Sequence, residues 1–252
     1  MSSASGFKDH FSGHAASYAA HRPTYPPELA AVLAGLAPGR ERALDAGCGS
    51  GQLSVLLAGH FAEVVATDAS PQQIAQATPH PNVAYRIARA EASGLPAASV
   101  DLVTVAQAAH WFDLDAFYAE VRRIARPDAV LALVAYGVFC AEPDIDPVLQ
   151  RFYREDTAPY WPPERRHIEA GYRTLPFPLP EIATPKLAIT VDWRLGDLVG
   201  YIDTWSAVRA MEKASGRGAM DRFAADLAAV WGAPERARPI RFPLSLRVGR
   251  VG

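Results

Sequence analysis

Between Leu44 and Gly51 the chain reads Leu-Asp-Ala-Gly-Cys-Gly-Ser-Gly, with a short strand pattern before it and a helical one from about Gln52. Glycines at such a turn let backbone pass close to a ligand, and the helix start offers unpaired N–H groups. The spacing is G-x-G-x-G, so Gln52 stands where the dinucleotide fingerprint has its last glycine. Asp45 puts a negative charge just ahead of the loop. That charge is awkward beside a pyrophosphate and suits a ligand carrying an ammonium and a sulfonium. Asp68 closes the next strand pattern, Glu63-Val-Val-Ala-Thr-Asp. An acidic side chain there can accept hydrogen bonds from ribose hydroxyls, a role that dinucleotide sites share. Asp68 therefore points to an adenosine, and the loop spacing with Asp45 selects among adenosine cofactors.

A second group of residues could act on the molecule that meets this ligand. His110, in Ala108-Ala-His-Trp-Phe, follows a fourth strand pattern at 100–106. An imidazole titrates near neutrality and can serve as a base; it can equally orient an anionic acceptor, or simply pack in its loop. Trp111 beside it is core or pocket wall. Tyr136, Tyr160, Trp161 and Trp205 could line an acceptor site, as could Phe139 and Tyr172, with packing the plain alternative for each. His10 and His14 are four apart, but no third ligand accompanies them, so no metal is expected.

The elements that must position these residues alternate strand and helix. Strands are predicted at 43–46, 63–68, 83–87, 100–106 and 129–138, with helices after the first, second and fourth. A helix from Pro27, with Leu29, Val32, Leu33 and Leu36 on one face, precedes them and stops at Pro38-Gly39. The alternation predicts an α/β chain with a mainly parallel, doubly wound sheet. Residues 142–185 hold nine of the 21 prolines and cannot belong to a central sheet. Late strands are expected at 187–194 and 241–251, with helical stretches around 196–213 and 219–231 between them.

Composition narrows the function classes. The chain has 252 residues, half of them hydrophobic and 21% charged, which predicts a packed globular protein. A formal net charge of −2 argues against a dedicated nucleic-acid binder. Two cysteines, Cys48 and Cys140, exclude a disulfide scaffold and suit a reducing cytoplasm. The N-terminal residues lack the apolar core of a signal peptide, and the longest apolar run, 129–141, is too short to span a bilayer.

Ala43-Leu-Asp-Ala-Gly-Cys-Gly-Ser-Gly-Gln, Val65-Ala-Thr-Asp-Ala-Ser and Ala90-Glu-Ala-Ser-Gly-Leu-Pro with Ser99-Val-Asp-Leu-Val-Thr resemble the ordered motifs of class I S-adenosylmethionine-dependent methyltransferases. The similarity is specific over 40–137 and runs towards the small-molecule enzymes related to ubiquinone-biosynthesis and trans-aconitate methyltransferases. It implies a Rossmann-like, seven-stranded, mostly parallel sheet with the last strand antiparallel and helices on both faces. It further implies one domain: an N-terminal lid (1–26), a cofactor core (27–141), a Pro-rich acceptor-side insertion (142–186), and final strands with inserted helices (187–252). Carried onto this chain, Asp45, Gly47 and Gly49 would meet the methionine part of the cofactor and Asp68 the ribose. Ala69, Ala90 and Glu91 would flank the adenine, and Gln107 would line the methionine pocket. Tyr18, Arg22 and Tyr25 would fold over the cofactor as a lid. Arg89 departs from the pattern, because many relatives carry an acidic residue there. The implied cofactor is S-adenosyl-L-methionine, and the implied partner is a small-molecule acceptor rather than nucleic acid or membrane, on a monomer or homodimer. A nicotinamide oxidoreductase and a non-catalytic cofactor-binding module are the rival readings.

Overall fold

The computed structural model describes residues 23–252. In chain order its first half runs α1 (Pro27–Leu36), β1 (Arg42–Ala46), α2 (Gln52–Leu57), β2 (Glu63–Asp68), α3 (Pro71–Ala75) and β3 (Val83–Ile87). Then come β4 (Val100–Ala106), a 3₁₀ turn (Ala109–Trp111), α4 (Leu114–Ile124) and β5 (Ala125–Tyr136). The Pro-rich stretch forms α5 (Asp146–Arg151), a π-helical turn (Phe152–Asp156), a 3₁₀ turn (Ala158–Tyr160) and α6 (Arg165–Glu169). The chain ends with β6 (Ala188–Trp193), α7 (Leu195–Asp203), α8 (Ser206–Ser215), α9 (Gly218–Trp231) and β7 (Arg238–Arg250).

The seven strands form one mixed sheet in the order β3-β2-β1-β4-β5-β7-β6. β1 to β5 pair in parallel and β7 runs antiparallel to β5, as the resemblance implied. The central strands are apolar almost throughout. Residues 129–135 of β5 are all fully buried, the pattern of strands covered on both faces. α4 shows how sequence sets an element here: Asp113 caps it by accepting from the Ala116 amide, and Phe117, Tyr118, Val121 and Ile124 face the core at helical spacing. At the amino ends of the strands, Asp101 accepts from the Glu41 and Arg42 amides at 3.0 Å and pairs with Arg126. A side chain at Gly39 would collide with this carboxylate, so that glycine does more than end α1.

Two elements differ from expectation. β5 begins at Ala125 rather than 129, entering through a bulge where its pairing with β4 shifts between Val100 and Leu102 and Asp128 takes φ +61°. The helical stretch at 196–213 is two helices. Thr204 turns its hydroxyl onto the Tyr201 carbonyl and Trp205 becomes extended (φ −64°, ψ 136°), which closes α7 before α8 starts.

The described residues fall into two compact units. One comprises Pro23–Cys140, Pro163–Val191 and Ile240–Gly252 and holds β1 to β5 with their connecting loops. The other comprises Ala141–Pro162 and Asp192–Pro239 and holds α5 and α7 to α9. Its core is aromatic: Phe152 stacks on Phe223 at 4.1 Å, and Tyr153, Trp161 and Trp205 pack ring to ring. Among the described residues no helix is long and apolar enough to cross a membrane.

Candidate cofactor and acceptor site

Tyr25 aside, the candidate residues of the first unit lie at or just past the carboxyl ends of β1 to β5, where open α/β sheets bind ligands. The loop after β1 is tied to β2 by the Gly47 and Cys48 amides, which both donate to the Thr67 carbonyl at 2.7 and 2.9 Å. Gly47, Gly49 and Gly51 all have positive φ (+68°, +56° and +83°), which glycine alone adopts without strain. Their surroundings differ. A Cβ on Gly47 would lie 2.6 Å from Ala108 Cβ, and one on Gly51 would sit inside the Tyr85 phenol. Among the described residues nothing approaches the corresponding position of Gly49 closer than Gln73 Oε1, at 3.6 Å. Two of the glycines serve packing, and Gly49 presents open backbone.

Asp45 is buried beneath the loop. Its carboxylate accepts from Ser54 Oγ at 2.6 Å and Thr104 Oγ1 at 2.9 Å. Burial pushes its pKa up to about 6 against the pull of those hydroxyls, and the charge of Asp68 adds to the rise. Burial also raises the Cys48 thiol well above its usual range. Asp68 is half-buried at the end of β2, accepting from the Gly49 amide at 2.9 Å and the Ser70 amide at 2.8 Å. Ala69 is half-buried beside it, and Ala90 is buried at the start of the next loop. Glu91 accepts from the Asp113 amide at 2.9 Å and pairs with the exposed Arg89, which holds the 90–95 loop against α4. Buried Glu120, kept low by Arg123, fixes the same loop through the Ser93 amide and hydroxyl.

Past β4, Gln107 adopts φ +59° and its Nε2 donates to the Tyr136 carbonyl at 2.7 Å. Its Oε1 is buried with no hydrogen-bond partner among the described residues. His110 is half-buried, with Nδ1 3.0 Å from the Tyr172 hydroxyl. Burial, Arg165 and His167 lower its pKa to about 3. That direction, set first by desolvation and then by Arg165 and His167, opposes a second proton, against the titration near neutrality expected of this histidine.

The remaining candidates divide. Tyr136 is buried, edge-on to Tyr25 at 6.1 Å and to Phe242 at 5.7 Å. Trp111 is 38% exposed and packs on His110. Tyr160, Trp161 and Trp205 belong to the other unit, where Trp161 Nε1 donates to Thr157 Oγ1. Tyr18 and Arg22, like His10 and His14, lie outside the described residues. Sequence reasoning passed over Ser54 and Thr104 as the partners of Asp45, and it did not pair Tyr172 with His110. A serine between Leu53 and Leu57 on the inner face of α2 was the available signal, since a buried hydroxyl needs a partner. Among the described residues no cluster of three potential metal ligands occurs.

Residues 44–133 match the family model for a methyltransferase domain. A methyltransferase of Dictyostelium discoideum is 36% identical over 215 residues, covering 84% of this chain and 82% of that protein. A methyltransferase of Mycobacterium tuberculosis is 37% identical over 125 residues, about half of each chain. A solved structure, assigned as a type II methyltransferase from Anaeromyxobacter dehalogenans, superposes with a TM-score of 0.88 at 50% identity, covering 91% of this chain and 98% of that one. Fold, glycine loop and relatives together define a methyltransferase. The chain belongs to the class I S-adenosylmethionine-dependent methyltransferases.

Proposed function

We propose that the carboxyl-end loops of this sheet bind S-adenosyl-L-methionine and that the enzyme methylates a small-molecule acceptor at oxygen, carbon or nitrogen. The observation that carries this reading is Gln107 Oε1, a buried acceptor without a partner among the described residues, on the loop that packs against Gly47. An orphaned acceptor costs about 1–3 kcal/mol, and a ligand ammonium is a donor suited to recover it. The open backbone of Gly49 and the Asp68 carboxylate that orients its amide fit the same ligand.

In this reading Asp68 accepts from ribose hydroxyls, Ala69 and Ala90 flank the adenine, and Gln107 accepts from the ammonium. Glu91 holds the adenine loop through the Asp113 amide rather than the base itself. Asp45 shapes the loop from below through Ser54 and Thr104 instead of meeting the ligand. When bound, S-adenosylmethionine supplies both the methyl group and its leaving group, so the chain's work is to position the acceptor and exclude water. Tyr25, Trp111 and Tyr136 are the apolar surfaces assigned to that work, and neutral His110 orients the acceptor. The near-neutral net charge favours a small acceptor over nucleic acid. Calorimetry with S-adenosylhomocysteine and with NAD tests the reading: the first is expected to bind and the second not. Affinity for NAD alone would overturn it.

A further inference from the structure

Tyr172 comes from the turn after α6, 62 residues beyond His110. It is fully buried and held at φ +62°, a backbone conformation that costs a non-glycine residue roughly 1–3 kcal/mol. The surrounding structure enforces it. The Tyr172 amide donates to the His167 carbonyl at 2.7 Å, and its carbonyl accepts from Arg247 at 2.9 Å. The phenol oxygen is thereby fixed 3.0 Å from His110 Nδ1. Among the described residues this is the hydrogen bond the buried phenol makes, and a buried hydroxyl proton left without an acceptor is costly, so that proton is directed at His110 Nδ1. With Nδ1 accepting, a neutral imidazole carries its proton on Nε2.

We propose that Tyr172 is a positioning residue that locks His110 in the Nε2–H tautomer, so that His110 meets the acceptor as a fixed hydrogen-bond donor and not as a base. The acceptor's part in this rests on the methyl-transfer reading; the tautomer rests on the Tyr172 contact. The charges around the ring agree. Among the described residues Arg165 and His167 on α6 and the Tyr172 phenol act on it, and burial, then Arg165 and His167, oppose a second proton. Burial holds the phenol above its usual range, so it keeps the proton it donates. An N–H fixed in this way pairs with a lone pair on the acceptor, and no proton passes to His110 during transfer.

The test is imidazole ¹⁵N NMR on the full chain, with His110→Gln used to identify the His110 signals. The expected wild-type spectrum has Nε2 protonated and Nδ1 bare, unchanged across roughly pH 5.5–8.5, where a free imidazole would titrate. Tyr172→Phe, which keeps the ring and removes the hydroxyl, is expected to turn this signal into a mixture of tautomers. A protonated Nδ1, an averaged pair of shifts, or titration near neutrality in the wild type overturns the proposal, as does an unchanged signal in a folded Tyr172→Phe. Should that variant fail to fold, detection of the Tyr172 hydroxyl proton in a scalar coupling to His110 Nδ1 supports the lock, and its assignment to any other acceptor overturns it. S-adenosylhomocysteine titrated into the same samples reads the cofactor assignment separately from the tautomer.

Discussion

Ser54 donates to Asp45 across 2.6 Å, joining the helix that leaves the glycine loop to the strand that enters it. Thr104 reaches the same carboxylate from β4 at 2.9 Å. One buried acid thus braces three elements under the loop. The carboxylate acts as a structural strut, each oxygen accepting one side-chain hydroxyl.

The strut has a measurable pH signature. A carboxyl raised from 3.8 to about 6 on folding binds its proton more tightly in the native state. The resulting stabilisation is fully present below about pH 4 and is lost as pH rises through 6, by about 3 kcal/mol in all. Asp45→Asn keeps the shape and removes the charge. Urea unfolding between pH 4 and 7 should show the parent losing about that much stability relative to the variant. Parallel curves would mean that Asp45 titrates alike in both states.

The three loop glycines should not respond alike to alanine. Gly49→Ala has room and pays chiefly for positive φ, about 1–2 kcal/mol. Gly47→Ala pays the same and also drives a methyl into Ala108 and Phe112, adding roughly 1–3 kcal/mol. Urea midpoints should therefore fall further for Gly47→Ala. Gly49→Ala should instead show its main loss in S-adenosylhomocysteine affinity. Equal midpoints would refute the packing role of Gly47.

Much of the architecture was legible because local signals and global fold agree. Alternating strand and helix patterns located β1 to β5, and Ser70 with Pro71 marked the start of α3 that the structure caps through the Gln73 amide. The positions of Asp68, Gln107 and His110 at strand ends followed from the same reading. What stayed hidden depends on burial and long-range contact. Whether Asp45 faces ligand or core turns on Thr104, 59 residues away. The proton affinity of His110 turns on burial and on Arg165 and His167 from beyond α5, which no spacing rule connects to it. The break at Thr204 depends on which carbonyl a hydroxyl reaches, and periodicity does not encode that choice.

Asp68 is the assigned ribose ligand, and its loss should be felt twice. Asp68→Ala removes the acceptor for ligand hydroxyls, and it also frees the Gly49 and Ser70 amides. Affinity for S-adenosylhomocysteine should fall by roughly 1.5–3 kcal/mol, the range for hydrogen bonds to a charged group. Asp68→Asn retains one carbonyl oxygen and should lose less. A dissociation constant unchanged in folded Asp68→Ala removes the residue from the site.

Gln107 gives the sharpest separation between fold and binding. Its Nε2 satisfies the Tyr136 carbonyl, while its Oε1 is buried with no partner among the described residues. Gln107→Leu deletes both atoms. Loss of the donor orphans a carbonyl and loss of the acceptor removes an orphan, so the two costs offset and ligand-free stability should move by only about 1 kcal/mol. The strained φ of +59° is common to both side chains and cancels to first order. Binding has no such offset, because the ligand ammonium loses an acceptor and meets an apolar branch. Parent protein at saturating S-adenosylhomocysteine gains stability as RT ln(1 + [L]/Kd). A dissociation constant raised roughly 10- to 150-fold, equivalent to about 1.5–3 kcal/mol, should remove most of that gain in the variant. Melting curves with and without ligand measure both quantities on one sample. A variant that melts far lower without ligand yet binds with the parent's affinity would show that Gln107 serves the Tyr136 contact alone, and the ammonium would need another acceptor.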